Sequence, residues 1–153
     1  MSIDTGNLLD NFILNTKQIL SDSQESLNLR EIYEDDVLLV PVMPSIAITC
    51  TSVYNELRTV GSSQARYTVN FVGELWYYYE NLSPDVRKNK VMSGAYAIAY
   101  HIIKNASLNN WLVNTRAIVR SCSYAPRARS GGFLASVRIV VLAPYLLTVT
   151  SIS

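Results

Sequence analysis

Between Arg66 and Glu80 the chain alternates polar and apolar residues with a period of two for longer than anywhere else. Tyr67, Val69, Phe71, Leu75, Tyr77 and Tyr79 fall on one face, and Arg66, Thr68, Asn70, Glu74, Trp76 and Tyr78 on the other. A strand of that length commits the fold to a sheet, because its backbone N–H and C=O groups need strand neighbours. The turn residues Gly61-Ser62-Ser63 stand just before it and Val53 to Val60 precede them, which predicts a long antiparallel hairpin.

The remaining elements are read around that hairpin. Leu8, Leu9, Phe12, Ile13, Ile19 and Leu20 recur at three- and four-residue steps, with Asp10, Asn11, Lys17 and Gln18 opposite, so the chain opens on a helix capped by Asp4 or Thr5. Val37-Leu38-Leu39-Val40 reads as a short strand, and Pro41 and Pro44 mark it as an edge or a bulge. Ile46, Ile48 and Cys50 alternate with Ala47, Thr49 and Thr51. Ser83-Pro84-Asp85 is a helix start, and the helix reaches about Asn105 with Val91, Ala95, Ile98 and Ile102 on its buried face. Two more strands, Val113 to Tyr124 and Phe133 to Val149, close the chain. The expectation is one α+β domain over 1–153, a mostly antiparallel sheet with an N-terminal helix and a second helix packed on it, in the order α-β-β-β-α-β-β.

Charge divides unevenly along this order. Residues 1–80 carry 11 acids against 4 bases, a balance of −7, and residues 81–153 carry 1 acid against 9 bases, a balance of +8. An acidic half and a basic half in one domain suit docking onto copies of itself. The chain also has 10 Tyr against 3 Phe, and tyrosine, with a large ring and a wet polar tip, serves interfaces as well as core rims. The longest apolar run, Ile139 to Leu147, contains Pro144 and is too short to span a bilayer. Cys50 and Cys122 lack CxxC spacing, and the start at Met1-Ser2-Ile3-Asp4 has no basic, then apolar, leader; synthesis in the cytoplasm is expected.

No catalytic, cofactor or metal constellation emerges. His101 is the lone histidine and reads as a packed helix residue. One histidine and two distant cysteines make no zinc site, and Cys122 reads as a small apolar strand residue. Glu34, Asp35 and Asp36 lack calcium-loop spacing and read as a solvated acidic face. Gly131-Gly132 precedes a strand and not a helix, so it is no phosphate loop. The loop Ala125 to Gly132, carrying Arg127 and Arg129, reads as a mobile basic protrusion: a solvated tip, a protein interface, or a nucleic-acid contact extended by Lys104, Arg116, Arg120 and Arg138.

In order of elements the chain resembles the tail terminator (tail-completion) proteins of long-tailed bacteriophages. The resemblance is carried by Val37-Leu38-Leu39-Val40-Pro41, by the hairpin Val53 to Glu80, by the helix from Ser83, and by Asn105-Ala106-Ser107-Leu108-Asn109-Asn110 before the last two strands. Where that family has a glycine after the second helix, Asn109 or Asn110 stands here. The resemblance implies a virion protein of the tail or neck. It forms a ring, usually of six copies, that caps the tail tube and meets the neck or connector protein; stopper and head-completion rings and a small nucleic-acid-binding module are the alternatives. Tube, sheath and connector proteins are its implied partners, and genome DNA passes through the hole without sequence-specific binding. On that basis Glu31, Glu34, Asp35 and Asp36 are expected to face Arg87, Lys88, Arg127 or Arg129 of a neighbouring copy.

Overall fold

The computed structural model describes residues 5–61, 64–81, 88–129 and 132–150. Two helices and six strands follow in the order α1 (Thr5–Asp22), β1 (Glu31–Tyr33), β2 (Ser45–Val60), β3 (Gln64–Asn81), α2 (Lys88–Lys104), β4 (Ile118–Tyr124), β5 (Arg127–Arg129) and β6 (Gly132–Thr150). They form one sheet in the order β1-β2-β3-β6-β4, with β5 also paired to β6. Only β1 and β2 pair parallel; the other pairings are antiparallel. The architecture is therefore α+β with a largely antiparallel sheet; it has one strand more than the sequence reading, because β1 and β5 are gained and the expected strand at Val37–Val40 is not formed.

The period-two segment sits where the sequence puts it, as the central strand β3. Its odd-numbered face is the core face. Phe71, Leu75 and Tyr77 pack there with Ile46 and Ile48 of β2 and Val137, Ile139 and Val141 of β6. The helices cover this face, α1 over β2 and α2 over β4 and β6. From α1 come Phe12, Ile19 and Leu20, and from α2 come Val91, Ala95, Ile98, Ala99 and Ile102. Phe12 stacks on Phe71 at 6.0 Å, and Trp111 joins Phe71 at 5.6 Å and Tyr145 at 5.0 Å. Burying aromatic and branched side chains of this size stabilises by about 1.5–3 kcal/mol each, so this face holds the domain together. Gly73 makes the Phe12 placement possible: a Cβ there would lie 2.6 Å from the Phe12 ring.

The opposite face is covered differently at its two ends. At one end the segment between β1 and β2, residues 34–44, crosses over β3 as a strap. Val40 is buried there with Ala47, Tyr78 and Leu134, and Tyr33, Val37, Met43 and Trp76 pack around them. The Val37–Val40 run is thus no strand. Its apolar residues divide between inward Val37 and Val40 and outward Leu38 and Leu39, which are 80% and 71% exposed. At the other end the distal part of β2, residues 51–60, is exposed throughout and forms an arm with β3 and β6. At about 3.3 Å per residue that stretch is roughly 33 Å long.

One further boundary differs from the sequence reading, and another lies outside the described residues. The expected strand from Val113 begins only at Ile118, because residues 105–117 form a compact connector closed by Ala117 N–H donating to the Ala106 carbonyl at 2.7 Å. Inside it Leu108, Asn109 and Asn110 take φ of 50°, 61° and 63°. Asparagine tolerates this left-handed region better than most side chains, so Asn109 and Asn110 do here what glycine does elsewhere. The expected helix start at Ser83-Pro84-Asp85, like Asp4 and most of the Gly61-Ser62-Ser63 turn, lies outside the described residues.

Candidate functional site

The strap places one carboxylate at the centre of a polar cluster. Asp36 Oδ2 accepts from Arg127 Nη1 and from Arg129 Nη2, each at 2.7 Å, while its Oδ1 accepts from the Tyr78 hydroxyl at 2.6 Å and from Val37 N–H at 2.9 Å. The Arg127 guanidinium carbon lies over Trp76, 3.9 Å from the ring centroid. Each partner follows from strand geometry. Trp76 and Tyr78 are two apart on β3 and share a face, and Arg127 and Arg129 are two apart on β5 and share one as well. The side chains of Asp36, Arg127 and Arg129 are only 24%, 24% and 14% exposed. Burial alone would raise the Asp36 carboxyl, but hydrogen bonds from Tyr78 and Arg129 and the two guanidinium charges outweigh it and hold the group below its ordinary value.

Three of the residues expected at an interface, Asp36, Arg127 and Arg129, pair with one another inside the chain, and Arg127–Arg129 pair with β6 as a strand where the sequence reading expected a mobile protrusion. The cause is local: a half-buried carboxylate needs compensating donors, and two arginines on a paired strand supply them. Glu34 also finds a cation within the chain, Lys17 Nζ at 2.9 Å, although both remain substantially exposed. Glu31 and Asp35 are exposed, and Asp35 Oδ1 accepts from the neighbouring Asp36 N–H at 2.8 Å. Lys88 is exposed and its ammonium lies 5.6 Å from the Tyr124 ring centroid. Arg87 lies outside the described residues.

What survives of the charge division is its placement on the sheet. Glu31, Glu34 and Asp35 lie on and just after β1, the outermost strand on one side. Arg116 and Arg120 lie just before and within β4, the outermost strand on the other side, and both are exposed. With a strand spacing of about 4.8 Å, the five-strand path sets β1 and β4 roughly 19 Å apart, which keeps Glu31 away from Arg120. The strap carries Asp35 inward beside Asp36, but Asp35 is exposed. The sequence offers Arg116 and Arg120 only as extensions of the Arg127 loop; their place at an edge follows from β4 pairing β6 on one side.

Both edges also carry unpaired strand and apolar surface. Beyond Ala47, β2 has a ladder partner on the β3 side only, and β4 is paired on its β6 side only, among the described strands. Val53, Leu57 and Val60 of β2 are 45%, 56% and 71% exposed, and Ile118 of β4 is half exposed. Open strand edges with apolar neighbours template further pairing unless something covers them.

The residues considered for chemistry each have a defined place in the packing. His101 Nε2 lies 3.1 Å from the Ile19 carbonyl and ties α2 to the end of α1. Cys50 and Cys122 are half-buried free thiols, each pushed above its ordinary pKa by burial. Among the described residues no three His, Cys, Asp or Glu side chains gather as a metal site, and no helix is long and apolar enough to cross a membrane. Compared with known proteins, the chain matches no family model, and no curated protein matches it at a significant level.

Proposed function

We propose that this chain is a structural subunit that associates head to tail into a closed ring, in the manner of the tail terminator proteins it resembles. The observation that carries the reading is the opposite charge on the two unpaired edges of one sheet. A head-to-tail contact sets the β4 edge of one copy against the β1–β2 edge of the next. It brings Arg116 and Arg120 to Glu31, Glu34 and Asp35, and Ile118 towards the exposed apolar residues of β2. Rotation that closes such a contact gives a ring and leaves no edge open. Exposed ion pairs contribute only about 0.2–1 kcal/mol each, so they set register and direction while apolar burial supplies affinity.

The test uses mass photometry at micromolar concentration. Wild-type chain should give closed oligomers. Glu31→Lys with Asp35→Lys should break them, as should Arg116→Glu with Arg120→Glu. Mixing the two double variants in equal amounts should restore rings, because each then presents the sign the other lacks. A wild-type chain that stays single under these conditions defeats the reading. Within it, the terminator assignment separates from a stopper or head-completion ring by a second measurement: a terminator added to elongating tail tube protein shortens the tubes seen in negative stain.

A further inference from the structure

We infer that the β2–β3–β6 arm holds a binding groove for the phosphodiester backbone of a nucleic acid, a site separate from the strap cluster and lying beside the open edge of β2. The groove has a volume of about 570 Å³; Arg58, Arg66 and Thr148 line it among other polar residues, while Tyr67, Leu146 and Leu147 make its surface more apolar than polar. No carboxylate lines it. Its donors are oriented by the fold. The register of β2 on β3 shifts between Leu57 and Thr59, so Arg58 is the extra residue of a bulge, a device that re-aims a side chain. Arg58 Nε then donates to the Thr68 hydroxyl at 2.7 Å, and Thr68 is buried, which fixes the guanidinium by one edge and leaves its two terminal nitrogens to point elsewhere. Arg66 stands opposite Thr148 on β6. Thr115 donates to the Pro144 carbonyl at 2.6 Å and, with Asn114 in the left-handed region at φ 61°, holds the connector against β6 at the groove wall.

Neither arginine is in an ion pair among the described residues, whereas Arg127, Arg129 and Arg138 each have a carboxylate partner. Glu56, two residues before Arg58 on β2, is opposite Thr68 and accepts from Asn70 Nδ2 at 3.2 Å. Two guanidinium forks with hydroxyl and amide donors beside them match the oxygens of a phosphate better than a carboxylate, and such contacts position a backbone without reading bases. An open groove on a strand face also suits a polymer over a small enclosed ligand.

The experiment is fluorescence anisotropy of a labelled 20-base-pair duplex across a salt series, with a matched RNA duplex and polyglutamate as further probes. Log affinity for either duplex should fall linearly with log salt with a slope of about −2, since each phosphate contact contributes about −0.9. Arg58→Gln and Arg66→Gln should each flatten that slope by about one, and Lys90→Gln, on α2, should not. Mass photometry of the same samples should show an unchanged assembly state, so a failure of the groove and a failure of the ring are read separately. No duplex binding at low salt, a slope unmoved by both arginine variants, or polyglutamate binding as tightly as the duplexes would each overturn the inference.

Discussion

The Asp36 carboxylate and the Tyr78 phenol, 42 residues apart in sequence, meet at 2.6 Å where the strap crosses the central strand. Around that contact one acid answers two arginines, so the cluster keeps a formal surplus of one positive charge. Its titration therefore bears directly on stability.

Asp36 has its folded-state pKa lowered, so the stability it contributes is fully present above the unfolded carboxylate value of about 3.9 and is lost as pH falls through the lower folded value. Urea midpoints measured from pH 6 to pH 2 should fall on the acid side for the wild-type chain. Asp36→Asn should be less stable at pH 6 and should lose less on acidification. Parallel curves for the two proteins down to pH 2 would contradict this.

Tyr78→Phe removes only the hydroxyl that donates to Asp36, in a ring that is otherwise fully buried. The cost should be about 1–2 kcal/mol, the range for a hydrogen bond to a charged partner. Chemical denaturation at neutral pH reads it, and the difference between variant and wild type should shrink as acid protonates Asp36, leaving the weaker contact in which the hydroxyl accepts from Arg127 Nη1 at 3.2 Å.

Gly73→Ala should destabilise by about 1–3 kcal/mol, the usual consequence of forcing atoms into a packed core. The new methyl would press on the Phe12 ring at 2.6 and 2.9 Å and on the Thr49 carbonyl at 3.2 Å. Phe12→Leu should partly relieve it. A double-mutant cycle with no coupling between the two positions would show that Phe12 is not the obstacle.

Asn109→Gly should be neutral or stabilising by a few tenths of a kcal/mol, and Asn109→Val should destabilise by about 1–2 kcal/mol, because only the branched residue resists φ near 61°. Thermal melts of the two variants should move in opposite directions or the glycine variant should stay level. A valine variant melting with the wild type would mean that the connector rearranges freely.

Much of the fold was legible because its strongest signal, the alternation along β3, is repeated by a packed partner on each side. Helix α2 was equally readable, since Val91, Ala95, Ile98 and Ile102 recur on one stripe and all are buried. The strap was not. Four consecutive apolar residues at Val37–Val40 fit a buried strand as well as they fit a crossing segment, and only the sheet decides which of them face inward. The same limit applied to the charges. Asp36 and its neighbours Glu34 and Asp35 are equivalent in sequence, yet only Asp36 lies over Tyr78 and Trp76, and nothing local distinguishes it. The signal that existed was indirect: arginines spaced by two at 127 and 129 imply a strand face, and the aromatic residues at 76 and 78 imply another to receive it.

The strap has a consequence for how the domain comes apart. β1 is a three-residue strand held by a short parallel ladder, the kind of margin that ordinarily frays on its own. Because the segment leaving it is anchored to β5 on the far side of β3, neither margin can lift without releasing the other. Their amide protons should exchange together, as one unit of local opening rather than as two independent frayed ends.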